Sequence, residues 1–387
     1  LRNSKTKEGL LYRLAIIADL KEECWPSMDR VAETLFREIS QVENIYVELI
    51  RPEMVRVFSL FPVFRANSIA INLDRFFNRF FFYPIKLFSV RKQFDIFHII
   101  DHSYSQLIHV LDPRRVLVTC HDLDTFKCLL EPADNPAGHP FRLMTSRILS
   151  GFQKASRVAC DSHATLSRVL RYGLLPESRI HLCRMGVDDS FFSAFEDCCE
   201  PLPRTLIHIG STIRRKRIDI LLKTFSEIRK RLDDVRLIRI GSSFTDEQVK
   251  LADNLGVAGF IDTRENIPDK ELCQLLARST LLLLTSEAEG FGLPVVEAMA
   301  AGTPVLCSDL AVLREVGGDA AKYAPVGDVG KWADEACSLL EESSAFPNSW
   351  RALRDASRRQ AQKFSWKNTA INCVVINKEM LEELTLR

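Results

Sequence analysis

Apolar and polar positions follow two rhythms along this chain. Near-continuous apolar runs at Leu11–Leu20, Ile45–Pro52, Asp95–Asp101, Arg115–Leu123, Arg157–Ser162 and Arg179–Gly186 predict strands. Runs without strict alternation fit a parallel sheet covered on both faces. Met28–Gln41 instead repeats its apolar residues at helical spacing. A second series predicts strands at Leu206–Gly210, Val235–Gly241, Val257–Asp262, Thr280–Ser286 and Pro304–Ser308, with helices at Lys216–Leu232, Thr245–Leu255, Asp269–Arg278 and Pro294–Ala301. Strand, helix, strand repetition of this kind predicts a doubly wound α/β fold. Between the two series, Val187–Arg204 carries acids, two prolines and no periodicity, and reads as a linker. The expected organisation is an N-terminal domain over 1–186, a linker over 187–204 and a C-terminal domain over 205–365. Two facing open sheets would hold a ligand outside the carboxyl ends of their strands.

One segment fits neither rhythm cleanly. Arg75–Lys92 (RFFNRFFFYPIKLFSVRK) places seven aromatics between Phe76 and Phe88 among Arg75, Arg79, Lys86, Arg91 and Lys92. It reads as a helix packing phenylalanines into the core, broken at Tyr83-Pro84. Its aromatics cover more than one helical face, so peripheral contact with an anionic membrane through 75–92 is the alternative.

Composition narrows the class. At 387 residues, 46% apolar and 27% charged, the chain has ample core for more than one domain. Its 52 Lys and Arg nearly balance 51 Asp and Glu, whereas a dedicated nucleic-acid binder would carry a basic excess. No apolar run reaches the ~18–20 residues of a membrane-spanning helix. Leu1–Gly9 is polar and charged and does not read as a secretory leader, and Leu1 in place of Met predicts a chain that begins inside a longer one. Eleven cysteines, an odd number in apolar settings and with no CxxC, predict reduced thiols in a cytoplasmic protein and no zinc site.

Three clusters carry candidate chemistry. In Thr285–Val305 (TSEAEGFGLPVVEAMAAGTPV) a buried strand gives way to a glycine-containing loop, and Pro294 opens a helix. Backbone N–H groups at Phe291, Gly292 and Leu293 would face an anion, most naturally a phosphate. Glu289 and Glu297 bracket that position and suit sugar hydroxyls. An anion pocket beside polyol acceptors is what a nucleotide-sugar requires. The second cluster, Arg214-Arg215-Lys216-Arg217, follows a strand ending at Gly210. Cations opening a helix oppose its dipole unless an anion offsets them; Arg215 and Lys216 would neutralise a diphosphate, with Arg214 or Arg217 facing solvent. The third is His121-Asp122 at a first-domain strand end, where His121 could meet a sugar hydroxyl. Asp122-Leu123-Asp124 also has the form of a metal-binding DxD, but the cations already serve the diphosphate. No GxGxxG in the right place, GxxxxGK[ST], GxSxG or HExxH occurs.

These residues resemble a known family. Glu289-Gly290-Phe291-Gly292-Leu293-Pro294-Val295-Val296-Glu297 is similar to the EX7E motif of retaining GT-B glycosyltransferases of family 4. Ala298–Val305 and Leu313–Gly318 continue the pattern, as do Arg215-Lys216, His121-Asp122, Asp161-Ser162, Met185–Asp188 and Phe364-Ser365-Trp366. The resemblance implies a GT-B fold, with a helix over 366–387 packing back on the N-terminal, acceptor-binding domain. It implies that Glu297 holds the ribose, Glu289 the donor sugar, Arg215 and Lys216 the diphosphate, and that His121 lies over the sugar. Gly210 and Ser211 would belong to the nucleotide-sugar site as well. The base would lie near Gly241, Ser242, Ile261 and Asp262. No metal or other cofactor is implied. Two positions depart from the pattern: Ser27-Met28 stand where a glycine pair is usual, and Ser211 where Arg is usual. The implied activity is retaining transfer of a hexose from a nucleotide-diphosphate sugar, UDP-glucose first and GDP-mannose next, to a polysaccharide or lipid-linked glycan. A nucleotide-sugar epimerase of the same fold, or a non-catalytic sensor, are the alternatives; for the epimerase no carboxylate pair stands out in the first domain.

Overall fold

The computed structural model describes residues 12–23, 25–60, 68–196, 202 and 204–386. Cys24, Cys198, Cys199 and the opening segment 1–9 lie outside these residues. The chain divides into two units, one of Leu1–Arg184 with Trp366–Arg387 and one of Met185–Ser365.

The first unit is built on six parallel strands: β1 (Tyr12–Ile17), β2 (Ile45–Ile50), β3 (Ile96–Ile99), β4 (Val116–Cys120), β5 (Arg157–Cys160) and β6 (Ile180–Leu182). They lie in the order β2-β1-β3-β4-β5-β6. Every residue of β3 and β4 is buried, which is why these runs do not alternate. The helix Trp366–Thr385 completes this unit against the helix Pro26–Ile39 and the start of β5. Ser27 and Met28 sit in the exposed first turn of Pro26–Ile39, behind Pro26, so no glycine loop forms there.

The second unit repeats the plan with β7 (Thr205–Ile209), β8 (Arg236–Ile240), β9 (Ile261–Arg264), β10 (Leu281–Leu284), β11 (Val305–Ser308) and β12 (Lys322–Ala324). Their order is β12-β11-β10-β7-β8-β9, all parallel. The chain reverses its direction of growth between β7 and β10, so the carboxyl ends of those two strands form the natural ligand crevice of this sheet. In the first unit the same reversal falls between β1 and β3.

Three expected features differ. Part of the supposed linker, Asp189–Glu196, is a helix whose Phe191 is buried; aspartates at its start suit a helix amino end, and too few turns exist for periodicity to show. The strand expected over Val257–Asp262 begins only at Ile261, because Gly256, at φ +68°, and a turn over Ala258–Phe260 use up the earlier residues. Arg75–Lys92 does not break at Tyr83-Pro84. The helix Ser68–Phe77 passes through a π-helical stretch, Asn78–Phe82, into Tyr83–Val90, where Pro84 occupies the first turn and needs no N–H partner. Tyr83 and Leu87 are core, as the packing reading expects, whereas Phe76, Phe81, Phe82, Ile85 and Phe88 are exposed.

Candidate active site

The four leucines of β10 are fully buried, and the chain leaves the sheet at Thr285. Thr285 Oγ1 donates to the carbonyls of Lys216 and Arg217, both at 3.2 Å, and the Glu287 amide donates to the Arg215 carbonyl at 2.8 Å. These bonds lock the loop after β7 to the loop after β10, at the topological reversal. Lys216 Nζ donates to Glu289 Oε1 at 2.6 Å, and Ser286 Oγ donates to the same oxygen at 2.6 Å. Arg215 Nη1 stands 3.9 Å from Glu289 Oε2 and donates to the Ala288 carbonyl at 3.2 Å. Burial alone would raise the Glu289 carboxyl; Lys216 and Arg215 outweigh it and hold the group below the usual carboxylate range. Two cations thus meet one buried carboxylate at the crevice.

The cationic cluster does not open a helix. Arg214–Lys216 form a separate turn, and Arg217, in left-handed conformation at φ 49°, caps the helix Ile218–Arg231. Arg217 pairs with Asp219 at 2.9 Å and reaches Glu287 at 3.4 Å, while Arg214 is exposed. Of the four cations only Arg217 stands at the helix amino end, and Asp219 in the first turn offsets it. Arg215 and Lys216 pair with Glu289 instead.

Gly292, at φ +97°, precedes the helix Leu293–Ala300; a Cβ there would meet Leu313 at 2.7 Å. The Phe291 ring is buried edge-on against Phe364, with centroids 5.7 Å apart, so only its backbone can serve a ligand. Glu297 is buried within the helix, and its charge adds to burial in raising the Cys273 thiol. Beside Gly210, Gly241 has φ +143°, and a Cβ on it would stand 1.8 Å from the Gly210 carbonyl oxygen. Arg239, fully buried, donates to that oxygen at 2.9 Å and also to the Ser242 carbonyl, so it fixes the strand-end loops beneath Gly210, Ser211 and Ser242. Burial lowers this guanidinium to about 10. Ile261 and Asp262 do not lie at a carboxyl strand end: they start β9, and Asp262 pairs with Arg264 at 2.8 Å. The carboxyl end of β9 instead brings Glu265 to the Ser243 hydroxyl.

In the first unit, β4 delivers His121 to its carboxyl end. Nδ1 lies 3.1 Å from Asp161 Oδ2 and Nε2 2.9 Å from the Ile100 carbonyl oxygen. Burial would lower this imidazole, but the Asp161 bond and charge, then Asp101 and the Ile100 carbonyl, raise it to about 9. Both ring nitrogens are thus engaged by the protein. Asp122 and Asp124 also have local partners: Asp122 accepts from the Asp124 amide at 2.9 Å, and Asp124 pairs with Lys127 at 2.8 Å. Among the described residues, no group of three or more metal-ligating side chains occurs.

Sequence reasoning missed Asp19, Asp101, His102 and Arg239. Asp19 and Asp101 follow β1 and β3 at the reversal of the first sheet. Asp19 is buried; burial, and next the Asp101 charge, raise it well above the ordinary value. Asp101 accepts from the Ser103 amide and hydroxyl at 2.8 and 2.6 Å. Burial would raise it, but His102, 3.2 Å away, leads His121 and these bonds in holding it at about 2. The first unit therefore does contain a carboxyl pair whose members are driven apart in acidity.

Two family models match this chain. Residues 203–342 match the model described as Glycosyl transferases group 1, and residues 30–191 match Glycosyltransferase Family 4. The chain belongs to glycosyltransferase family 4. Family relatives include the O-antigen chain mannosyltransferase B of Escherichia coli, 28% identical over 66% of this chain and 68% of the relative. Another is the MMP alpha-(1->4)-mannosyltransferase of Mycolicibacterium hassiacum, 30% identical over 57% of this chain. The chain spans only 53% of that second relative's length. Among solved structures, the sucrose-phosphate synthase of Thermosynechococcus elongatus aligns with a TM-score of 0.71 at 17% identity, over 96% of this chain and 99% of that one. Anabaena Alr3699/HepE, solved with UDP and glucose, aligns with a TM-score of 0.68 at 16% identity, over 97% and 99%. These likenesses establish the GT-B fold of this glycosyltransferase.

Proposed function

We propose that this family 4 glycosyltransferase moves a hexose, with retention of anomeric configuration, from a nucleoside-diphosphate sugar to a glycan acceptor. The observation that carries the reading is the buried Glu289 held by Lys216 at 2.6 Å, with Arg215 at 3.9 Å, at the reversal point of the second sheet. In this reading the diphosphate draws Arg215 and Lys216 outward. Glu289 stays ionised and accepts sugar hydroxyls, and the amides at Phe291–Leu293 face the phosphate. At ~4 Å and an effective dielectric of ~20, each charge pair contributes about 4 kcal/mol before solvation losses. Stabilising the leaving diphosphate is the main catalytic task, since an oxocarbenium-like sugar forms as that charge grows. Within the first unit, His121 positions its own strand end through Asp161 and the Ile100 carbonyl. Glu297 holds the ribose, and Gly210, Ser211, Gly241 and Ser242 line the base side. No metal takes part.

The relatives that are mannosyltransferases favour GDP-mannose over UDP-glucose as donor. The acceptor is a polysaccharide or a lipid-linked glycan. The exposed Phe76, Phe81, Ile85 and Phe88, with Lys86, Arg91 and Lys92 in the same segment, support contact of 75–92 with an anionic lipid surface. The test is nucleoside diphosphate release from a panel of GDP-, UDP- and ADP-sugars, with NMR of the product's anomeric centre. Release from GDP-mannose with a retained configuration is expected. Inversion, or conversion of a sugar to its epimer without release, would overturn the reading.

A further inference from the structure

The amino ends of β4, β5 and β6 lie on the edge of the first sheet opposite the strand ends that carry Asp19, Asp101 and His121. There a cavity of about 300 Å³ is lined by Arg114, Lys154, Ser156, Arg157, Arg179 and Glu383, among others. That volume is at the lower end for small-molecule sites. Arg157 opens β5, Arg179 precedes β6, and Glu383 comes from the helix Trp366–Thr385.

The cations outnumber the acids that could satisfy them. Asp112 holds Arg114 at 2.8 and 3.1 Å. Arg157 donates to the Ser156 carbonyl at 3.0 Å and to the Glu383 carboxylate. Arg179 donates to the Gln153 carbonyl at 2.8 Å. Among the described residues, the Nε–H groups of both Arg157 and Arg179 are buried with no acceptor. A guanidinium cannot escape such a position by losing its proton. The two side chains also repel: burial, and then the Arg157 charge, pull Arg179 below the ordinary arginine value. Glu383, an acid lining the cavity, is half exposed at 53% and, among the described residues, pairs with Arg157. Two forked donors facing one cavity, with a lysine and a hydroxyl beside them, match the several oxygens of a tetrahedral dianion better than a single carboxylate.

We propose that this cavity binds a phosphate-bearing anion, with Arg157 and Arg179 donating Nη–H groups, Lys154 adding charge and Ser156 a hydroxyl. The site belongs to the first unit and is independent of Arg215 and Lys216.

Calorimetric titration with inorganic pyrophosphate tests it, in the Arg215→Ala/Lys216→Ala protein, which lacks both diphosphate cations of the second unit. One equivalent is expected to bind, and Arg157→Gln/Arg179→Gln should weaken it at least tenfold. Arg236→Gln/Arg351→Gln, which removes the same charge elsewhere, should leave it unchanged. Absent binding, or equal loss in both double variants, would overturn the site. Glu383→Gln, which frees Arg157, should tighten binding at least threefold; it decides the matter if the arginine variant does not fold, and unchanged or weaker binding would count against the site. Displacement of pyrophosphate by dihexanoyl phosphatidic acid supports the site and assigns the phosphate to a lipid headgroup. Binding of pyrophosphate without such displacement supports it as a site for a soluble phosphate.

Discussion

Lys216 and Glu289 share one 2.6 Å bond in a buried setting, so neither can change without leaving the other exposed to its own desolvation cost. Lys216→Ala and Glu289→Gln should each lower turnover at least ~100-fold, the scale of one lost transition-state contact. Nucleoside diphosphate release at saturating donor measures it, and near-normal turnover would remove the role assigned to that residue. His121 makes a different prediction. Its folded value of about 9 lies above the ordinary 6.5, so its contribution to stability is complete below pH ~6.5 and is lost as pH rises through 9. Urea midpoints from pH 6 to 10 should fall in the parent protein and fall less in His121→Gln; parallel slopes would contradict the buried imidazolium. Glu289, Lys216 and His121 were legible because each sits in a local pattern at a strand end. Asp19, Asp101 and Arg239 were not, because a lone charged residue in a strand run acquires meaning only when distant strands bring its partners to it.

Elements were legible wherever hydrophobic burial alone dictates them. The six strands of the first unit and β8, β10 and β11 fall inside the expected runs, β10 as four consecutive buried leucines, whereas β7 begins one residue early, β9 overlaps its run only at Ile261 and Asp262, and the short edge strand β12 answers to no expected run. Boundaries set by backbone conformation were not legible: Arg217 at φ 49° separates the cationic turn from its helix, and Gly256 delays β9. Gly241 shows what such positions demand. Gly241→Ala would force a Cβ toward an oxygen 1.8 Å away at a φ of +143°, so a loss of at least ~2 kcal/mol in urea unfolding is expected. A loss below ~0.5 kcal/mol would contradict the close approach of β7 and β8 there. The π-helical passage through Asn78–Phe82 was invisible because Tyr83-Pro84 reads as a break unless the preceding turn widens to accept it. It leaves Phe81, Ile85 and Phe88 exposed, and changing all three to Ser should reduce co-sedimentation with anionic vesicles at least ~5-fold, without altering donor hydrolysis. Equal co-sedimentation would remove lipid contact from the account.

At the scale of the whole molecule, the two sheets differ in a way that periodicity does not reveal. Taken in chain order, the second sheet runs 3-2-1-4-5-6 from β9 to β12 and the first runs 2-1-3-4-5-6. Each reversal point therefore lies beside the first strand of its own unit, where the second unit gathers Arg215, Lys216 and Glu289 and the first gathers Asp19, Asp101 and His102. Assignment to the family followed from motif and order along the chain, whereas donor choice is not written in any single residue of these loops. The central claim is that the Arg215–Lys216–Glu289 cluster receives a nucleoside diphosphate. Calorimetric titration of GDP and UDP into the parent protein and into Lys216→Ala tests it most directly. One equivalent of nucleoside diphosphate binding to the parent and at least tenfold more weakly to Lys216→Ala is the predicted result; equal affinity in the two proteins would contradict it.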